Sequence, residues 1–312
     1  MAVIPLHIVD AFADRPFAGN PAAIVPNAAG LDDDEMMRIS EELGLEVGFV
    51  LPPEERGADV RVRFFIDRAE DTLSGHVLLA AFVSMADRGI FRPTPAGRLL
   101  HVETLAGVLQ VRLTGELGGP TRVVCEMPNP RFGETVPVDE VARTLDVPAE
   151  LLRLQGHGPQ RVSCGFDQLL VPVADRTVMR GSLRDMDRIR GLLDELGTAG
   201  LVLFSPETVD PGADFHCRFL HPGDRRCEDV ASGTCMAAVG AYAVQHGLVP
   251  PADDVHLVTE QGHNLGRPTR AELEVRMIRG RIHRVQLAGI GTVVLRGSLQ
   301  FDRAVGVMAA RG

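Results

Sequence analysis

The 312 residues suffice for one large domain or two smaller ones, and the 45% hydrophobic and 24% charged content is that of a globular chain. A formal net charge of −10 argues against a general nucleic-acid or membrane-surface binder, although a locally basic pocket could still take an anionic small substrate. All 32 basic residues are arginine, so neither a Schiff-base lysine for pyridoxal phosphate nor a Walker A lysine is possible.

In chain order, "LHIVDAF" (6–12) reads as a strand and "RPFAGNPAAIV" (15–25) as a Gly/Pro loop running into another. "DDDEMMRISEELG" (32–44) has acids at its start, apolar residues at helical spacing and a glycine stop, which predicts a helix. "VGFVLPP" (47–53) and "DVRVRFFID" (59–67) predict strands, and a second helix is expected from Gly75 to Gly89. Residues 98–126 supply further strands, and "PNPRFGETVP" (128–137) looks like the crossing between halves. Helices are expected at "VDEVARTLDV" and "RDMDRIRGLLDELG", and strands at "QLLVPVAD", "GLVLFSP" and "FHCRFLHP". A helix from Ser232 to Gly247 precedes a strand-rich end, "DVHLVTEQG", "AELEVRMI" and "RIHRVQL". Many short strands with a few helices and no regular βαβ alternation indicate an α+β fold.

The chain repeats itself. "EDTLSGHVLLAAFVSMADRG" (70–89) resembles "EDVASGTCMAAVGAYAVQHG" (228–247) at a constant offset of 158 residues, with Glu70/Glu228, Asp71/Asp229, Ser74/Ser232, Gly75/Gly233 and Gly89/Gly247 coinciding. Both helices are apolar on nearly every side, so each is expected to be enclosed by its own sheet. Their N-terminal turns are another matter. Gly75 and Gly233 permit close backbone approach, and unpaired N–H groups at the positive end of a helix suit a carboxylate.

Five cysteines, Cys125, Cys164, Cys217, Cys227 and Cys235, are widely spaced, odd in number and form no CxxC, so neither a disulfide framework nor a structural zinc site is expected. No apolar run approaches the ~18–20 residues of a membrane span, and no secretory signal is visible. The expectation is a cytoplasmic protein that binds neither membrane nor nucleic acid.

"VDAFADRPFAGNPAAIV" (9–25), "LSGHVLLAA" (73–81), "EDVASGTCMAA" (228–238) and "EQGHNLGRP" (260–268) resemble, in order, the main motifs of the PhzF-like phenazine-biosynthesis proteins. The resemblance implies a diaminopimelate epimerase-like fold: two pseudo-symmetric lobes, each a curled, mostly antiparallel, barrel-like sheet around a central apolar helix, with the site in the cleft. The lobes are placed at 1–118, joined by the C-terminal segment 298–312, and at 119–297. It also implies a homodimeric isomerase with no cofactor and no metal. Such an enzyme moves a proton between carbons of a small carboxylate-bearing intermediate, such as a dihydro-3-hydroxyanthranilate or a substituted-proline precursor.

By position in the motifs, Glu46 is the proton-moving carboxylate, with His76 and Asp229 as its catalytic partners. Asn20, Ser74, Gly75, Ser232, Gly233 and Thr234 are the expected substrate-binding residues. For catalysis, burial should raise the Glu46 pKa toward neutrality. Glu70 and Glu228 are read as structural, tying down turns through backbone hydrogen bonds. Leu45, Val230 and Thr234-Cys235 depart from the family's usual residues and bear on substrate fit. The related two-base epimerases carry a cysteine where this chain has Ser74 and Ser232, and serine is a poor carbon base. An epimerase or dehydratase on the same fold, or an inactive regulatory relative, remain the alternatives, with Cys235 as a reserve base.

Overall fold

The structure, a computed structural model, describes residues 2–66, 68–116, 118–181, 185–221 and 227–301. Contacts divide the chain into two compact units. One comprises the described residues of Met1–Val123 and Ile290–Gly312, the other Val124–Gly289.

In the first unit the elements are β1 (Ala2–Ala11), β2 (Asn20–Val25), α1 (Asp33–Leu43), β3 (Val47–Leu51), β4 (Val60–Ile66), β5 (Ala69–Asp71), α2 (Gly75–Asp87), β6 (Arg98–Thr104) and β7 (Gly107–Thr114). In the second come β8 (Arg122–Met127, which starts at the boundary), β9 (Arg131–Thr135), α3 (Val138–Leu145), β10 (Gln160–Ser163), β11 (Asp167–Pro172), α4 (Arg176–Gly181), α5 (Met186–Leu196), β12 (Leu201–Ser205), β13 (Phe215–Leu220), β14 (Glu228–Asp229), α6 (Gly233–Gln245), β15 (Asp254–Gln261) and β16 (Thr269–Ile278). The long β17 (Arg281–Phe301) pairs with β16 through its first half and with β1 through its second.

The pairing scheme repeats. In the first unit β1–β2 is antiparallel, β2–β3 parallel, β3–β4 antiparallel, β4–β6 parallel and β6–β7 antiparallel, with β5 added to β4. In the second, β10–β11 is antiparallel, β11–β12 parallel, β12–β13 antiparallel, β13–β15 parallel and β15–β16 antiparallel, with β14 added to β13. Each parallel step needs a crossover. Helix α1 makes the first in one unit, α4 and α5 in the other, and the apolar helices α2 and α6 make the second. The result is a mixed α+β fold with a curled, barrel-like sheet.

Local sequence explains the elements. At α1, Asp32 accepts from the Glu35 amide at 2.8 Å while Glu35 accepts from the Asp32 amide at 3.0 Å, a complete capping box, and Gly44 ends the helix in the left-handed conformation. Helix α2 is buried from Gly75 to Met85 and α6 from Gly233 to Ala243. Burying Val77, Leu78, Leu79, Phe82 and Met85 contributes roughly 1.5–3 kcal/mol per side chain. Enclosure at that density needs missing side chains. A Cβ on Gly48 of β3 would lie 2.8 Å from Val77 of α2, and one on Gly240 of α6 would lie 2.7 Å from Leu273 of β16. One unit therefore thins its sheet and the other its helix to achieve the same approach.

The two glutamates of the repeat are structural, but arginines rather than backbone amides hold them. Arg63 on β4 grips Glu70 through Nε (2.7 Å) and Nη2 (2.6 Å), and Arg218 on β13 grips Glu228 in the same way (2.8 and 2.6 Å). Such forked pairs are the strong form of charged hydrogen bond. The strand registers agree: Phe65 faces Glu70 and Leu220 faces Glu228.

A tight approach without a positive φ lies just before β12, where a Cβ on Gly200 would sit 2.3 Å from Phe219 Cε2 and 2.7 Å from the Leu220 carbonyl. Gly200→Ala is expected to destabilise the protein by about 1–3 kcal/mol through overpacking, read as a lower midpoint in chemical denaturation. An unchanged midpoint would show that β13 yields without cost.

Candidate active site

One cluster of polar side chains is assembled from three segments of the first unit. Glu46 lies between the α1 stop and β3, where Gly44 turns the chain and Val47 enters the sheet. Ser74 is the N-cap of α2, and His76 stands in its first turn. The Ser74 hydroxyl makes no capping bond; it donates to Glu46 Oε2 at 2.7 Å. It also lies 3.3 Å from His76 Nδ1, and His76 Nε2 lies 3.7 Å from the same Glu46 oxygen. The serine and histidine are buried, while the Glu46 side chain keeps 25% exposure. This places a reachable carboxylate against a nearly dry wall of hydrogen-bonding groups.

The geometry assigns protons. A hydroxyl has one hydrogen and two lone pairs. With that hydrogen on Glu46, the Ser74–His76 contact requires Nδ1–H as donor, so in the neutral ring Nε2 carries a lone pair. Facing Glu46 Oε2 at 3.7 Å, that lone pair becomes a favourable partner only when a proton sits on the ring or on the carboxylate.

Asn20 opens β2 and is 5% exposed. Its placement depends on Gly19, which has φ +72° and whose Cβ would lie 2.4 Å from the Ala11 carbonyl. The buried Asp10 accepts from the Phe17 amide at 2.7 Å and pins the loop that precedes Asn20. The sequence reading passed over Asp10; the signal was an acid alternating with the apolar residues of "HIVDAF".

A second cluster belongs to the second unit. Ser232 caps α6 by accepting from the Cys235 amide at 3.4 Å and lies 3.0 Å from the Thr234 hydroxyl. Gly233 follows it as the first helical residue. The same N-cap serine thus performs a different task in each unit: in α2 it serves the carboxylate and in α6 the helix. Asp229 ends the short β14 half-buried, and its carbonyl accepts from Gln261 Nε2 at 2.9 Å. Behind it Gly262, with φ +80°, would carry a Cβ only 2.7 Å from the Val230 carbonyl. Gln261 lies within the Glu260-Gln261-Gly262 motif, where nothing in the local sequence signals its bond to the Asp229 carbonyl.

Cys235 is fully buried, and burial pushes its thiol well above the ordinary range. It is a poor carbon base in this position. Cys227 is exposed, whereas Cys125, Cys164, Cys217 and Cys235 are buried. Iodoacetamide at neutral pH is expected to label Cys227 first and spare Cys235 in the folded protein, and Cys235→Ala is expected to leave any turnover essentially intact. Peptide mapping by mass spectrometry checks the first point, and early modification of Cys235 would contradict it.

The described helices include none long and apolar enough to cross a membrane. A family model described as phenazine biosynthesis-like protein, PhzC-PhzF, matches residues 9–297. An uncharacterized isomerase of Clostridium acetobutylicum is 27% identical over 299 residues, covering 94% of this chain and 97% of its own. The crystal structure of a Bacillus anthracis phenazine biosynthesis protein of the PhzF family superposes with a TM-score of 0.86 at 26% identity, covering 96% of this chain and all of the other (100%). A predicted epimerase of Pseudomonas aeruginosa superposes with a TM-score of 0.78 at 27% identity, again covering 96% and 100%. With its repeated fold, its Glu46–Ser74–His76 cluster and these likenesses, the chain belongs to the phenazine biosynthesis-like PhzC-PhzF family and is an isomerase.

Proposed function

We propose that the enzyme moves a proton between carbons of a small carboxylate-bearing metabolite without a cofactor, with Glu46 as the group that takes and returns the proton. The observation that carries this reading is the hydrogen bond from Ser74 to Glu46 beside His76. A carboxylate that accepts the Ser74 hydrogen and keeps 25% exposure can receive a C–H proton, and the buried neighbours hold it in place. Proton transfer by a positioned side chain contributes typically ~10²–10⁴-fold.

The remaining assignments follow from the motif matches. His76 and Asp229 hold the substrate's amino or hydroxyl group and its protonation state. Asn20, Ser232 and Thr234 supply polar contacts, and the amides of Gly75 and Gly233 bind the carboxylate at the helix starts. The substrate class is that of ring or side-chain intermediates with an acidified C–H next to a carboxylate, of which dihydro-3-hydroxyanthranilate and substituted-proline precursors are the first candidates to assay. With serine at both turn positions, the two-thiol racemase route lacks its bases.

Glu46→Gln keeps the volume and an acceptor for Ser74 but removes the base. It is expected to bind substrate nearly normally and to lose roughly 10²–10⁴ in kcat. In deuterated water the wild-type product should carry solvent deuterium, read by mass spectrometry, unless the carboxylate is shielded and returns the same proton. Near-normal turnover by Glu46→Gln would remove this carboxylate from the mechanism. The likeness to PhzF-like proteins also supports a homodimer, for which light scattering at working concentration should give about twice the chain mass of 33.7 kDa.

A further inference from the structure

A buried glutamate fastens a loop in each unit. In the first, Glu103 on β6 accepts the amides of Glu54 and Glu55 at 2.7 and 2.8 Å, and Arg61 on β4 reaches it at 3.3 Å. In the second, Glu260 on β15 accepts the amides of Val209 and Asp210 at 2.6 and 2.8 Å. The strand registers make the two arrangements equivalent, since Arg61 faces Glu103 and His216 faces Glu260. The cation, however, has changed. Where the first unit sets a guanidinium, the second sets His216, whose Nδ1 lies 2.6 Å from Glu260 Oε1. A second imidazole, His263, lies 3.7 Å from Glu260 Oε2 through Nε2. No histidine occurs in the corresponding turn of the first unit, Thr104-Leu105-Ala106-Gly107.

The geometry points to a transition-metal site formed by His216, Glu260 and His263, taking zinc or a similar divalent ion. Each residue offers one ligand atom, and the three atoms lie within 4.8 Å of one another. A tetrahedral zinc with bonds of about 2.1 Å sets its ligands roughly 3.4 Å apart, so small side-chain rotations bring these three onto one ion. Two imidazoles and one carboxylate form a known zinc donor set and leave a fourth position for water. The pocket is built for charge. Glu260 and His216 are 1% and 3% exposed, and His263 at 21% leaves an entry path. His263 Nδ1 is buried with no hydrogen-bond partner among the described residues, so this ring is not fully held by the protein alone.

A divalent ion would restore the positive charge that Arg61 supplies in the other unit. It would also tie together β13, β15, the loop at Val209–Asp210 and the turn after Gln261. Gln261 holds the Asp229 carbonyl, so the ion would stiffen that turn and take no part in the proton transfer.

The test uses the full chain carrying Cys227→Ser, stripped with chelator and then titrated with zinc by calorimetry and with cobalt by visible absorption. One ion per chain with micromolar or tighter affinity is expected, with a cobalt spectrum of low-coordinate nitrogen and oxygen ligation and a zinc-dependent rise in Tm. His263→Ala should weaken zinc at least tenfold. His216→Arg, which rebuilds the guanidinium–carboxylate pair of the first unit, should fold and lose both the binding and the Tm response. Absence of stoichiometric zinc binding in the parent protein, or equal binding by His263→Ala and His216→Arg, would overturn the proposal.

Discussion

A helix sealed in apolar contact along its length can present polar groups only at its ends. Helices α2 and α6 obey this condition, with buried side chains on every face for most of their course. The first turn is therefore where the chain can place hydroxyl, imidazole and backbone amide near a substrate without burying unpaired polar atoms in the core. Sealing requires the sheet to come close, which Gly48 allows in one unit and Gly240 in the other. It also requires the hairpin before each helix to be rigid. The forked Arg63–Glu70 and Arg218–Glu228 pairs supply that rigidity immediately upstream of Ser74 and Ser232.

Once each helix start is fixed by its own unit, the two copies are free to diverge in the task given to the same serine. Ser232 directs its oxygen to the Cys235 amide and the Thr234 hydroxyl, which makes a well-capped helix start. Ser74 forgoes capping and serves Glu46. A cap contributes about 1 kcal/mol, so the first unit gives up a little stability for a polarised carboxylate. The same divergence appears at the loop fasteners, where Arg61 and His216 occupy matching register positions beside Glu103 and Glu260.

Much of this was readable from the chain. The helix limits followed from caps, and the repeat followed from the matched Glu-Asp and Ser-Gly pairs. Glu46 and His76 came from motif position, and the structure brings them into one cluster through Ser74. What escaped the sequence is non-local. Arg63 and Glu70 sit on facing strands, and nothing in the spacing says which arginine meets which glutamate. Glu260 gathers amides about fifty positions away, at Val209 and Asp210, and a histidine at 216, a conjunction set by parallel β13–β15 pairing rather than by any local pattern. Asp10 and Gln261 were legible as residues but not as supports, because each acts through a backbone group whose position depends on the finished turn.

The hydroxyl of Ser74 has a consequence for what happens after the carboxylate is loaded. An ionised Glu46 accepts the serine hydrogen, and His76 must then offer Nδ1–H to the serine oxygen. A protonated Glu46 can instead become the donor. The serine would then rotate to point its hydrogen at Nδ1, and the imidazole would have to carry its proton on Nε2. The rotation displaces no heavy atom, but the change of tautomer also takes one proton off Nδ1 and puts one on Nε2, so the state of the acid and the tautomer of a ring two residues along the helix are coupled through Ser74. In that sense Ser74 is a relay that reports the state of the carboxylate to the wall of the site.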